Sequence, residues 1–126
     1  MSTPIGPYSP IVRAGPWLIT SGQLGLRPPD PGDGPGSPPT LVEGGAVAQL
    51  TQALANGAAL LREEGAAPAD VAKTTVYVTD MAGYAAVNEA YTAFFGTHRP
   101  ARSVVGVAAL PMGAAVEVEL WAHLDR

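Results

Sequence analysis

The chain has 126 residues, a formal net charge of −4 and 47% hydrophobic against 14% charged residues. That length fits one domain with a real core, and that composition excludes a disordered chain. With only seven basic residues there is no electrostatic footprint for nucleic acid or an anionic membrane. The absence of cysteine removes disulfides, thiolate catalysis and zinc–thiolate sites. No segment approaches the roughly 20 apolar residues of a membrane span, and MSTPIGPYSP has neither the basic nor the apolar region of an export signal, so the expected location is the cytoplasm. His98 and His123 lack a carboxylate at ligand spacing and read as surface or interface residues.

In chain order, WLITSGQLGL begins β-branched and aromatic and ends on glycine, as a strand entering a tight feature does. RPPDPGDGPGSPPT, with its core from Arg27 to Pro39, carries too much proline and glycine for helix or central strand and is expected to be a surface loop. From Gly44, residues Val47, Leu50, Leu54, Ala58 and Leu61 recur at steps of three and four, predicting an amphipathic helix that Gly65 ends.

DVAKTTVYVT is a strand by its β-branched content, with Ala72, Thr74, Val76 and Val78 on one face and Lys73, Thr75 and Tyr77 on the other. Asp80 is placed to cap the next helix, whose apolar stripe is Tyr84, Val87, Tyr91 and Phe94. RSVVGV and AAVEVELWAH form two strands, and the short link AALPMG predicts that they pair as an antiparallel hairpin. The order implies an α+β fold: a mixed sheet with two helices on one face.

The last strand is the most informative. Val116, Val118, Leu120 and Ala122 point toward the helices, and Glu117, Glu119, Trp121 and His123 share the other face. A tryptophan there is costly to leave in water, and with no third helix to cover it a second subunit is the expected cover. On the preceding strand Arg102, Val104 and Gly106 share a face. The hairpin would align Arg102 with Glu117 in one half-buried cleft, as an ion pair or as two parts of a ligand site.

The stretches IGPYSP, ITSGQ, VAKTTVYVTDMAGYAAVNEAYTAFF and RPARSVVGVAALPMGAAVEVELWA together resemble the reactive-intermediate deaminases, the RidA or YjgF family. The resemblance runs in order from Ile5 to His123 and is interrupted mainly by the proline-rich loop. It implies one domain over residues 1–126 in the YjgF (chorismate-mutase-like) fold. Three sheets of a homotrimer would form a barrel-like core, with helices outside and clefts between subunits. The implied reaction hydrolyses 2-imino and enamine acids, such as 2-aminoacrylate or 2-iminopropanoate, to 2-keto acids and ammonia, without metal or organic cofactor.

Carried over by residue, the resemblance makes Arg102 the carboxylate-binding arginine and Glu117 the water-positioning glutamate. A guanidinium fork suits a carboxylate, and a carboxylate suits proton relay. Tyr8 matches a tyrosine that walls the cleft, Ser21 and Gly22 match positions beside the ligand, and Asn88 matches an asparagine near the site. Interface packing for Tyr8, a tight turn at Gly22 and a helix-to-loop bond for Asn88 are the plain alternatives. Val104 stands where many relatives have cysteine, so thiol regulation is excluded and its carbonyl is the group left to meet the imine. The other functional readings are a non-catalytic trimer that binds small carboxylates, a deaminase of larger enamines admitted by the long loop, and a ribonuclease, which the acidic chain disfavours.

Overall fold

The structure, a computed structural model, describes residues 6–125; Ile5, first residue of the IGPYSP stretch, lies outside them. In chain order come β1 (Ile11–Ala14), β2 (Trp17–Thr20), β3 (Gln23–Leu24), α1 (Gly45–Glu63), β4 (Val71–Val78), α2 (Tyr84–Phe95), β5 (Ala101–Gly106) and β6 (Val116–His123). The strands form one mixed sheet in the order β1-β2-β6-β4-β5, with β3 also paired to β6. Both helices pack on one face, as expected. Strand β1 was not among the predicted elements; Gly15, at φ +58°, turns it back onto β2.

Helix α1 buries Leu50, Leu54, Ala58 and Leu61 as its spacing predicts. Val47 stays exposed, however, so the stripe begins one turn later. Gly57 lets the helix approach β6 closely, because a Cβ there would come within 2.6 Å of Leu120 Cδ1. Gly65 ends the helix as expected: it takes φ +84°, and the Ala66 N–H returns to the Leu61 carbonyl at 2.9 Å. Asp80 accepts the Ala82 N–H at 2.9 Å and starts the single turn that leads into α2. Helix α2 buries Val87, Tyr91 and Phe95. The expected stripe is therefore corrected at both ends: Phe94 is half-buried, and Tyr84 is exposed beside Arg102.

On β4 a bulge between Val71 and Lys73 shifts the alternation. Val71 therefore takes the core position expected of Ala72, which is exposed, while Thr74, Val76 and Val78 point inward as predicted.

The expected hairpin of the last two strands does not form. β5 pairs with β4 in parallel, β6 pairs with β4 antiparallel, and β4 lies between them. The crossover through α2 delivers β5 parallel to β4, as helical crossovers do. The link after β5 then passes over the end of β4: Val107 N–H bonds to the Val78 carbonyl at 2.8 Å, and Thr79 N–H to the Ala115 carbonyl at 3.1 Å. β6 is thereby laid on the far edge of β4.

The helix-free face carries Glu117, Glu119, Trp121 and His123, together with Trp17, whose ring meets that of Trp121 edge-on at 6.0 Å. Trp121 is 38% exposed, and Val12 and Val105 are also exposed.

Candidate functional site

Arg102 stands on β5 opposite Thr74 of β4, and Thr74 in turn stands opposite Leu120 of β6. Residues in register share a face, so Arg102 points to the helix side. There Nη1 donates to Asn88 Oδ1 at 2.8 Å and Nη2 donates to the Tyr84 hydroxyl at 3.1 Å. The guanidinium carbon lies 4.9 Å from the Tyr91 ring centroid and 5.7 Å from that of Tyr84, within cation–π range. Tyr91 is itself held by a buried 2.8 Å hydrogen bond to Thr74, and burial raises its hydroxyl pKa. The cation is thus oriented by one carbonyl oxygen, one hydroxyl and two rings. Among the described residues no carboxylate forms a salt bridge with it. Val104, two residues on, lies half-buried against the core on the same side.

Glu117 belongs to the other face. It stands opposite Tyr77 of β4, an odd number of residues from Leu120, and side chains on a strand alternate. Its carboxylate rests directly on Gly22, where a Cβ would come 2.0 Å from Oε2 and 2.7 Å from Cδ. Burial, and then repulsion from Glu119, push the Glu117 carboxyl above the ordinary carboxylate range. Tyr77 is raised by burial and by Glu119, toward which its hydroxyl points at 3.4 Å. Ser21 donates its hydroxyl to the Ser9 carbonyl at 2.6 Å, and its N–H to the Pro10 carbonyl at 2.9 Å. These bonds hold the segment that bears Tyr8 against the β2–β3 corner. Tyr8 and Gly22 both line a cavity of about 940 Å³ under the proline-rich loop.

The residues singled out from sequence therefore gather in two groups, Arg102 with Asn88 and Val104, and Glu117 with Ser21, Gly22 and Tyr8. The single-chain cleft expected to hold Arg102 and Glu117 together is not formed, and the ion pair between them is excluded within one chain. Tyr84 and Tyr91 were read only as core stripe, yet they frame the guanidinium. Their spacing to Asn88 along α2 was the available signal, since 84, 88 and 91 share a helix face. Neither histidine enters either group: His98 donates to the Val71 carbonyl at 2.7 Å, and His123 faces Asp125 at 3.0 Å. Among the described residues no cluster of three or more His, Asp or Glu has the arrangement of a metal site.

The fold, with its parallel β4–α2–β5 unit and an antiparallel β6 on the other edge of β4, is that of a known family. Residues 1–124 match the family described as Endoribonuclease L-PSP, to which the YjgF and RidA proteins belong, and the chain belongs to it. A 2-iminobutanoate/2-iminopropanoate deaminase of Mus musculus is 43% identical over 115 residues, covering 91% of this chain and 79% of that protein. A RutC family protein of Pyrococcus horikoshii is 40% identical over 122 residues, covering 97% and 90%. Among solved structures, RidA from an Antarctic Psychrobacter superposes with a TM-score of 0.85 at 36% identity, covering 97% of this chain and 92% of its own. The YjgF gene product of E. coli gives 0.80 at 39% identity, covering 98% and 91%.

Proposed function

We propose that this protein hydrolyses 2-imino and enamine acids to 2-keto acids and ammonia. It does so as a homotrimer in which the Arg102 group of one copy faces the Glu117 group of the next. The observation that carries the reading is the state of Arg102: a half-buried guanidinium, oriented by Asn88, Tyr84 and Tyr91 and lacking a carboxylate among the described residues. An ordered cation of this kind is suited to a carboxylate brought by a ligand. The helix-free face, with Trp121, Val12 and Val105 exposed, is the surface a neighbouring copy would cover. Among the described residues no helix is long and apolar enough to cross a membrane.

In the reaction, Arg102 grips the substrate carboxylate in two-point fashion, and the Val104 carbonyl accepts a hydrogen bond from the imine N–H. Glu117 takes a proton from water as its oxygen bonds to C2, and the C=N π pair moves to nitrogen. That proton passes to nitrogen to complete the neutral carbinolamine. Glu117 then takes the hydroxyl proton and delivers it to nitrogen as the C–N bond breaks, so ammonia leaves, the O–H pair forms the C=O bond of the keto acid and Glu117 is again ionised. A carboxyl raised by burial and by Glu119 accepts and returns a proton more readily than an ordinary carboxylate. The test is direct: generate 2-iminopropanoate from alanine with an amino-acid oxidase and follow pyruvate release. Acceleration by the protein that is lost in Glu117→Ala supports the reading. Acceleration absent, with pyruvate still bound, would assign the chain to the non-catalytic carboxylate binders.

A further inference from the structure

The long segment between β3 and α1 stands as an arch. Leu26 bridges to Leu41 and the Arg27 N–H bonds to the Thr40 carbonyl at 2.8 Å, closing its base. Within the arch Arg27 pairs with Asp30 and, at 3.6 Å, with Asp33. Between this arch and the flank of α1 lies the cavity of about 940 Å³, floored by Leu24, Leu26, Ala59 and Leu60 and roofed by the loop prolines.

Three features narrow what it can hold. Its lining includes Tyr8 and Gly22, and Gly22 is the residue against which the Glu117 carboxylate rests, so the space adjoins the proposed reacting centre. The side-chain amide of Asn56 in its lining is already engaged: it donates to the Leu24 and Leu26 carbonyls and accepts from Gln52. Among the described residues its one basic lining residue is Arg27, which pairs with two aspartates, while Glu63 adds a negative charge. A second carboxylate would find no free cation there, which disfavours dicarboxylic enamines. An apolar chain would find a wall that suits it.

We propose that this cavity receives the side chain of the substrate, and that the Arg27–Pro39 arch makes the protein selective for 2-imino acids with large apolar side chains. The inference rests on the deaminase reading. A three-carbon imine would leave most of the space unfilled, and each further buried methylene is worth roughly tenfold or more in discrimination. The experiment generates imines from alanine, leucine and phenylalanine with an amino-acid oxidase and compares kcat/KM. The leucine- and phenylalanine-derived substrates are expected to exceed the alanine-derived one at least tenfold. Ala59→Phe, at an exposed helical position that lines the cavity, is expected to cut that ratio at least tenfold. Equal values for the three substrates, or a ratio unmoved by Ala59→Phe, would overturn the inference. If no imine is hydrolysed, the deaminase reading alone fails and calorimetry decides the cavity. Binding of 4-methyl-2-oxopentanoate at least tenfold tighter than pyruvate, with the advantage lost in Ala59→Phe, supports it; equal or absent binding of the two overturns it.

Discussion

Gly22→Ala tests the Glu117 group through geometry alone. The backbone at Gly22 does not lie in the left-handed region, so alanine is conformationally acceptable, but its methyl would meet Glu117 Oε2 at 2.0 Å and Cδ at 2.7 Å. Real Cβ contacts do not fall below 3.0 Å, so the carboxylate must retreat by about 1 Å. The carboxylate ends a flexible side chain on the helix-free face, so it can swing aside with little loss of stability, on the order of 1 kcal/mol. A displacement of about 1 Å in a reacting group costs on the order of 100-fold in rate. Imine hydrolysis should therefore fall about 100-fold in kcat/KM, while the melting temperature moves only a few degrees. A double-mutant cycle makes the cause specific: because the methyl acts through Glu117, Gly22→Ala should add almost nothing on a Glu117→Ala background. An active Gly22→Ala protein, or losses that simply add in the double variant, would refute the reasoning.

Arg102→Ala removes two hydrogen bonds and a cation over two rings. It should leave a folded protein and cost roughly 2–5 kcal/mol of transition-state stabilisation, with Arg102→Lys recovering only part; a folded, fully active Ala variant in a pyruvate-release assay would remove Arg102 from the site. Glu119→Gln takes away the like charge that helps raise Glu117. Since Glu117 works ionised, activity is lost as pH falls through its raised pKa, and the acidic limb of the pH–rate profile should move to lower pH in this variant; a stationary limb would count against Glu117 as the base. Trp121→Glu places a charge on the helix-free face and should convert a sedimenting trimer to monomer, whereas a wild-type protein that is monomeric at micromolar concentration would end the trimer proposal. Deleting most of Pro28–Pro39, with Leu26 and Leu41 left to close the base, should preserve folding and cost about 1–3 kcal/mol, mainly from uncovering Leu60; loss of soluble protein would show that the arch is structural.

Periodicity is a local property, and what it governs was legible in the sequence. The alternation of β6 sorts Val116, Val118, Leu120 and Ala122 from Glu117, Glu119 and Trp121 whatever strand lies beside it, and the three-and-four spacing sets the buried face of α1 after its first turn. That Arg102 and Glu117 are charges on largely apolar strands, in need of a partner or a ligand, was legible too. Their mutual placement was not. It depends on which strands are neighbours, and that is decided by the α2 crossover, which lays β5 parallel to β4, and by the link over the end of β4, which carries β6 to its other edge. With β4 between them, register sets Arg102 in line with Leu120 across Thr74, and the odd step from Leu120 to Glu117 sends the two charges to opposite faces. The bulge at Val71–Lys73, the exposure of Tyr84 and the arch over α1 arise in the same way, from contacts between residues far apart in the chain, which no local spacing encodes.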